Sequence, residues 1–299
     1  MTVESTNRLA EVDDVWTVRQ VLGWTIAHLK KHGSQSPRLD SEVLLAYARG
    51  CQRIELYTHF DDSLTNDERT VMRQLVQRRA QAEPVAYLVG HREFFGLDFR
   101  VTPNVLIPRP ETETLVMEVL QIVEDFPEPR ILDVGTGSGC VAISIAVNQP
   151  RAQVTASDVS KAALQVARKN ADGHAVAERI QFLLGDLFAP MTSDQQFHIV
   201  ASNPPYVTES EIGTLPADIR LHEPRPALDG GSDGLVVLRR LIEQAPTHLI
   251  DSGYLIFEIS DGQGTRVCDL LNANGSYTDI EVVKDLAGQS RVVRALKVS

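Results

Sequence analysis

Cysteines are scarce in this sequence, bases are outnumbered by acids, and no long apolar run occurs. The three cysteines, Cys51, Cys140 and Cys268, are odd in number, far apart and without a C-x-x-C pair. That usage excludes a disulfide framework and points to a reduced, cytoplasmic compartment. Lys and Arg total 29 against 40 Asp and Glu, a net charge of −11. A protein that finds nucleic acid through phosphate contacts needs a basic footprint, so direct nucleic-acid binding is not expected. No apolar stretch approaches the length of a membrane span, and no membrane association is expected. Met1–Asp14 is polar and acidic, unlike a signal peptide. Repeats and low-complexity tracts are absent. His28 and His32 could share a helix face, but two histidines without a third ligand do not make a metal site, and none is expected.

What is present centres on Phe197–Tyr206, F-H-I-V-A-S-N-P-P-Y. The apolar run Ile199–Ala201 reads as a buried strand that stops at Asn203-Pro204-Pro205-Tyr206. Two prolines cannot continue a sheet ladder, because each lacks an N–H and has a fixed φ. The resulting stiff loop leaves the Asn203 amide and the Pro204 carbonyl free, and Tyr206 adds an aromatic face. Two acceptors and a ring suit a planar –NH2 group, whose protons are accepted and whose plane is stacked. An Asn-Pro pair is also common in turns that do nothing more than reverse the chain. The surrounding sequence decides between these readings.

At 299 residues the chain is long enough for two domains with a well-buried core. From about Val15 to Leu88 the texture is helical. Val18, Val21, Leu22, Thr25 and Leu29 recur at helical spacing up to a break at Gly33 and Pro37. Ser41–Ala48 starts a further helix, and Arg53–His59 is a short one. Thr65-Asn66-Asp67-Glu68 reads as a capping box for a helix reaching about Gln81, with Val71, Leu75 and Val76 inward. A small helical bundle without recognisable chemistry is expected. Residues 1–85 carry 11 bases and 12 acids, whereas 86–299 carry 18 and 28, so the bundle is nearly neutral beside an acidic remainder.

Between Pro84 and Pro110, Glu93–Phe95 and Asp98–Val101 flank Gly96 as a short hairpin. Leu106–Glu113 then passes from a proline-fixed segment into a helix with carboxylates in its first turn. From Arg130 strands and helices alternate, which predicts a parallel sheet covered on both faces. The strand candidates are Arg130–Val134, Gln153–Ser157, Ile180–Leu184, His198–Ser202 and Tyr254–Ile259. Thr278–Val283 and Arg291–Lys297 follow a helix near Thr265–Leu271 and would make the sheet mixed, with seven strands.

Asp133-Val134-Gly135-Thr136-Gly137-Ser138-Gly139 forms the first turn of this unit. Strand, glycines and helix in succession let a ligand approach backbone N–H groups at a helix N-terminus. Asp158 ends the second strand 23 residues after Gly135, where a carboxylate accepts hydrogen bonds from ribose hydroxyls. The spacing is G-x-G-x-G, not the G-x-G-x-x-G of pyrophosphate binders. No arginine follows Asp158 closely to take a 2′-phosphate. A nucleoside without phosphates therefore fits better than a dinucleotide. Asp186, after the third strand, is placed to meet an adenine amino group or to serve as an ordinary turn residue.

D-V-G-T-G-S-G, Asp158, Gly185-Asp186 and N-P-P-Y together resemble class I S-adenosylmethionine-dependent amino-methyltransferases. Four further segments narrow the likeness: P-V-A-Y-L-V-G-H-R-E-F-F-G-L at 84–97, V-T-P-N-V-L-I-P-R-P-E-T-E at 101–113, E-P-R-P-A-L-D-G-G-S-D-G-L at 223–235 and D-L-A-G-Q-S-R at 285–291. D-G-Q-G at 261–264 adds to them, and the chain is similar over roughly residues 38–297 to the HemK/PrmC family. The resemblance implies a Rossmann-like, seven-stranded mixed sheet of α/β class with a small N-terminal all-helical domain. It implies a substrate-recognition bundle at 1–88, a linker with a short hairpin at 89–112 and an S-adenosylmethionine-dependent methyltransferase domain at 113–299. The implied activity is methylation of the side-chain amide nitrogen of the glutamine in the Gly-Gly-Gln motif of peptide-chain release factors. Gly135, Thr136, Gly137, Ser138, Gly139, Asp158, Asp186, Leu187 and Asn203 would line the methyl donor. Asn203, Pro204, Pro205 and Tyr206 would bind the glutamine and carry the transfer. Leu187 departs from relatives with an aromatic there, which predicts weaker stacking on adenine unless Phe188 takes that part.

No Asp, Glu or His within N-P-P-Y is placed as an obvious base, so positioning and preorganised electrostatics should supply most of the rate. The alternative is a nucleic-acid amino-methyltransferase acting on an exocyclic base nitrogen, since its target –NH2 is chemically similar. Such an enzyme would need aromatic and basic surroundings for a flipped base. A non-catalytic adaptor is disfavoured by the intact N-P-P-Y, and a dehydrogenase by the glycine spacing.

Overall fold

The computed structural model describes residues 16–298, which separate into two compact units, one ending at Val89 and the other beginning at Gly90. The first unit is helical: α1 Val18–Lys31, α2 Pro37–Arg49, α3 Arg53–Thr58, α4 Asn66–Ala80 and α5 Val85–Val89. Val18, Leu29, Leu44, Leu45, Leu56 and Leu75 build its core. The capping box of α4 forms as its sequence demands. Thr65 Oγ1 accepts from Glu68 N at 3.2 Å, and Glu68 Oε2 accepts from Thr65 N at 2.7 Å.

Two local expectations shift. Pro37 does not merely break a helix but begins one, at the first helical position, where its missing N–H has no intrahelical partner to lose. On α4 the inward positions are Met72, Leu75 and Val76, while Val71 is 37% exposed, because the apolar stripe is rotated by one residue. His28 and His32 do lie on one face of α1, where their rings stack at 4.2 Å between centroids.

The second unit opens with a hairpin of β1 His91–Phe94 and β2 Leu97–Arg100. Phe95 and Gly96 both adopt positive φ, +51° and +71°, the two-residue turn whose twist matches its strands. The main chain then enters α6 Glu113–Val123, β3 Arg130–Val134, α7 Cys140–Asn148, β4 Gln153–Asp158, α8 Lys161–Gly173, β5 Ile180–Leu184 and β6 Phe197–Ser202. Short helices α9 Glu209–Ile212 and α10 Ala217–His222 precede α11 Val236–Gln244, β7 Leu249–Glu258, α12 Gly264–Asn274, β8 Tyr277–Lys284 and β9 Ser290–Lys297.

The seven-stranded sheet has the order β5-β4-β3-β6-β7-β9-β8, with β9 running antiparallel to the other six strands. One hydrophobic cluster covers one face, with α6 and α7 supplying Leu115, Val119, Ile143 and Ile145. Another covers the opposite face, with α11 and α12 supplying Leu238, Leu241, Val267 and Leu271. The chain runs outward from β3 through β4 to β5, then returns to place β6 on the other side of β3. That reversal leaves a crevice at the carboxyl ends of β3 and β6, the position where open α/β sheets bind ligands. Among the described residues no helix is long and apolar enough to cross a membrane.

Candidate active site

A crevice of about 270 Å³ opens at this reversal. Its floor is the glycine loop after β3. Gly135 N and Thr136 N both donate to Ser157 O, at 2.8 and 2.9 Å, which draws the loop onto the end of β4. Gly135 and Gly137 have positive φ, and a Cβ on either would meet no atom within 4 Å, so both turn bare backbone toward open space. Gly139 has another task. A Cβ there would lie 2.8 Å from Ile143 Cδ1 and 3.1 Å from Ala167 Cβ, so this glycine permits α7 and α8 to pack closely. Asn170 on α8 holds the loop further, donating to Ser138 O at 2.8 Å and Arg100 O at 3.0 Å.

Asp158 lies beside this loop. Its Oδ2 accepts from Gly137 N at 2.9 Å and its Oδ1 from Ser160 N at 2.8 Å. Burial raises its pKa, and the two N–H donors oppose that rise. Leu187 is 8% exposed at the crevice wall with φ +47°, an uncommon conformation for a branched residue. Asp186 also borders the crevice, but its carboxylate pairs with Arg240 at 2.6 Å. Phe188 is buried in the core, stacked on His248 with 5.0 Å between centroids, and is not a crevice residue. The stacking surface on that wall is therefore aliphatic.

Asp133, under the loop, is 1% exposed. Burial pushes its carboxyl up to about 6, with the Thr136 hydroxyl and Ala142 N–H opposing and Asp158 reinforcing the rise. A folded-state value above the ordinary 3.8 means that the folded protein holds this proton more firmly than the unfolded chain. The associated stability is present at low pH and lost as pH rises through about 6. Relative to Asp133→Asn, which does not titrate, the wild type should lose on the order of 3 kcal/mol between about pH 4 and pH 7. Denaturant unfolding of both proteins across that range tests this. A stability difference that does not vary with pH would mean that Asp133 is ionised throughout.

The opposite wall is Asn203–Pro205, leaving the end of β6, while Tyr206, next in the chain, does not line the crevice. Ser202 Oγ donates to Val134 O at 2.8 Å, locking the ends of β6 and β3 together. Asn203 Nδ2 donates to Thr112 Oγ1 at 3.0 Å, Thr112 Oγ1 donates to Glu258 Oε2 at 2.6 Å, and Tyr206 OH donates to Glu258 Oε1 at 3.1 Å. Burial and the adjacent Glu258 carboxylate raise the Tyr206 phenol, keeping it a donor. Asn203, Pro204 and Pro205 border the same crevice as Gly135, Gly137 and Asp158.

The downstream motifs hold this loop from behind. Val207 N donates to Leu228 O at 3.0 Å, and Gly230 N donates to Val207 O at 2.8 Å. Gln263 Nε2 reaches Tyr206 O at 3.4 Å and Gly234 O at 3.2 Å. Glu223 accepts from Ile107 N at 3.2 Å and pairs with Arg109, joining the proline-rich strap at 107–109 to the 223–235 loop. Thr112, Glu223 and Glu258 carry no functional signature of their own in the sequence. Thr112 and Glu223 lie in proline-rich motifs that mark them for attention, whereas Glu258 is a strand-terminal acid without a local signature. Among the described residues no group of three or more His, Cys, Asp or Glu is arranged to hold a metal.

Residues 20–90 match the PrmC N-terminal domain family, and residues 112–217 match the Methyltransferase small domain family. The release factor glutamine methyltransferase of Rhodopirellula baltica is 46% identical over 95% of this chain and 98% of its own length. The release factor glutamine methyltransferase of Geobacter sulfurreducens is 41% identical, again over 95% and 98%. Among solved structures, the hMettl16 catalytic domain in complex with a 3′UTR hairpin superposes with a TM-score of 0.56 at 14% identity. It covers 70% of this chain and 79% of that one, a likeness of fold alone.

Proposed function

This chain belongs to the release factor glutamine methyltransferase family, and on that premise we propose that it methylates the side-chain amide nitrogen of the glutamine in the Gly-Gly-Gln motif of peptide-chain release factors. The observation that supports the reading most is the meeting of two loops at one crevice. A glycine loop suited to a nucleoside faces an Asn-Pro-Pro-Tyr loop suited to a primary amide.

S-adenosyl-L-methionine would supply the methyl group as an electrophilic sulfonium. The residues fit such a group: Gly135 and Gly137 leave an open cradle where side chains would intrude, and Asp158 offers a carboxylate at its edge. Thr136, Ser138, Gly139 and Leu187 complete that side. Asp186 would contribute an acceptor to adenine only if its pairing with Arg240 is shared or exchanged.

A carboxamide nitrogen is a weak nucleophile because its lone pair is delocalised into the carbonyl. Asn203 Oδ1 and the Pro204 carbonyl accept its two N–H bonds and hold the nitrogen in one orientation. Pro205 stiffens the loop between them and Tyr206, and the Tyr206 ring packs on the amide plane. Orientation of this kind is worth about 7–11 kcal/mol when reactants are held in a productive geometry. Acceptors already fixed in place would also stabilise the charge that develops on the amide as the nitrogen–methyl bond forms and the methyl–sulfur bond breaks, one N–H proton then being lost to solvent.

Mass spectrometry of a release factor incubated with the protein and donor tests the proposal. The expected product carries one added methyl group on the Gly-Gly-Gln glutamine. A methyl group found on nucleic acid, with the factor unmodified, would replace this reading with that of a base amino-methyltransferase.

Asp158→Ala should weaken donor binding by about 1.5–3 kcal/mol, the range for hydrogen bonds to a charged group. Calorimetric titration measures it, and an unchanged dissociation constant would remove Asp158 from the ribose.

The helical unit contributes recognition of the protein substrate in this proposal, since no reactive constellation is found among its described residues. Deleting residues 1–88 should reduce catalytic efficiency on an intact release factor far more than on a short Gly-Gly-Gln peptide, because contacts remote from the glutamine are lost only with the full factor. Equal losses on both substrates would assign the unit a supporting role only.

A further inference from the structure

Asn203 has a side chain with two ends of nearly the same shape, and only one of them can do what the proposed reaction requires. Oδ1 can accept a hydrogen bond from the incoming amide, whereas Nδ2 can only donate. Shape alone does not select between the two orientations of the carboxamide. The selection must come from a neighbour that distinguishes a donor from an acceptor.

That neighbour is Thr112, at the start of α6. Its hydroxyl has one proton, and Glu258 Oε2 receives it at 2.6 Å. With the proton committed there, Oγ1 has only lone pairs left to offer, and it accepts from Asn203 Nδ2 at 3.0 Å. Turning the carboxamide over would set Oδ1 against those lone pairs, two acceptors with no proton between them. The orientation that keeps the hydrogen bond turns Oδ1 away from Thr112.

Glu258 is suited to drive this chain of commitments. It ends β7, is 1% exposed, and receives the Tyr206 hydroxyl on its other oxygen at 3.1 Å. Burial raises its pKa and Glu111 adds to that rise, while the Thr112 and Tyr206 hydroxyls, donating to the ionised form, and the Arg291 charge oppose it. A protonated Glu258 could instead donate to Thr112, whose own proton would then turn toward Asn203 and invert the requirement.

We infer that Thr112, committed by the buried Glu258, is a positioning residue that holds Asn203 Oδ1 in the accepting orientation for the substrate amide. This inference rests on the proposed role of Asn203 in glutamine methylation. One carboxylate thereby steadies both Asn203 and Tyr206 from outside their loop.

The test compares Thr112→Val and Thr112→Ala, which lack the hydroxyl, with Thr112→Ser, which retains it. Each is assayed on a release factor with S-adenosyl-L-methionine, and donor affinity is measured by calorimetry. In the Val and Ala variants kcat should fall roughly 10- to 100-fold, the factor that corresponds to a lost buried hydrogen bond. The Ser variant should stay within about threefold of wild type, and donor affinity should stay within about threefold in all of them. The Ala variant only removes atoms, so it provides the comparison if the Val variant misfolds. A Val or Ala variant with unimpaired kcat would overturn the inference. So would a Ser variant as impaired as Ala, or donor affinity that falls in step with kcat. If wild type itself leaves the factor unmethylated, the proposed function fails and the inference falls with it. Methylation by wild type together with an indifferent Thr112 would sink the inference alone.

Discussion

Replacing Asn203 by alanine should reduce methyl transfer on the order of 10²–10³-fold or more while leaving the donor dissociation constant nearly unchanged. Asn203 is the one crevice residue of its loop with a polar side chain, since Pro204 and Pro205 have none and Tyr206 does not line the crevice. Without Oδ1 the substrate amide keeps one fixed acceptor instead of two and can rotate about it. The loss is one of orientation and of preset electrostatics, so it falls on kcat. The proposed donor side of the crevice, Gly135–Gly139 and Asp158, shares no side-chain hydrogen bond with Asn203 among the described residues. Single-turnover kinetics with saturating donor, beside calorimetric titration of the same variant, separate these effects. A collapse of donor affinity parallel to the loss of turnover would show that Asn203 mainly supports the donor site or the fold.

Gly234→Ala should be comparably damaging through geometry alone. Gly234 has φ +74°, and a Cβ there would lie 2.4 Å from Tyr206 O and 2.9 Å from Gln263 Nε2. The first of these is backbone, which cannot step aside as a flexible side chain would. The Asn203–Tyr206 loop must move, and a displacement of about 1 Å is enough to cost on the order of 10²-fold in rate. Gly275→Ala provides a matched control. Its φ is +75°, nearly the same, but a Cβ there meets nothing within 4 Å. Left-handed strain alone costs about 1–2 kcal/mol, which the control should show as reduced stability without loss of activity. Denaturant unfolding and activity of the two variants give the comparison. Equal activity in both would mean that the 223–235 loop does not hold the Asn203–Tyr206 loop in place.

Much of this architecture was written in local signals. The α4 capping box needs only residues three apart, so Thr65 and Glu68 could be paired from the sequence. The Phe95–Gly96 turn was less legible, because the hairpin placed around Gly96 left open that Phe95 would also take positive φ. Pro37 was ambiguous for a physical reason: the residue that ends a helix in its interior is favoured at its first turn. On α4 the apolar stripe was ambiguous too, since Val71 and Met72 are adjacent and either could begin it.

By itself the sequence determined the alternation of strands and helices, the glycine loop, the acid at the end of β4 and the proline-stiffened end of β6. Each of these arises from interactions within a few residues, or from a periodicity that one segment carries alone. Only the tertiary structure decided which side chains those loops lean on. Asn203 meets Thr112 across 91 residues, Thr112 meets Glu258 across 146, and Tyr206 meets the same carboxylate across 52. Nothing near Glu258 in the chain distinguishes it from the other acids among 40 Asp and Glu. It became specific when β6 and β7 were laid side by side, placing one buried charge behind a loop whose donors had to be satisfied there.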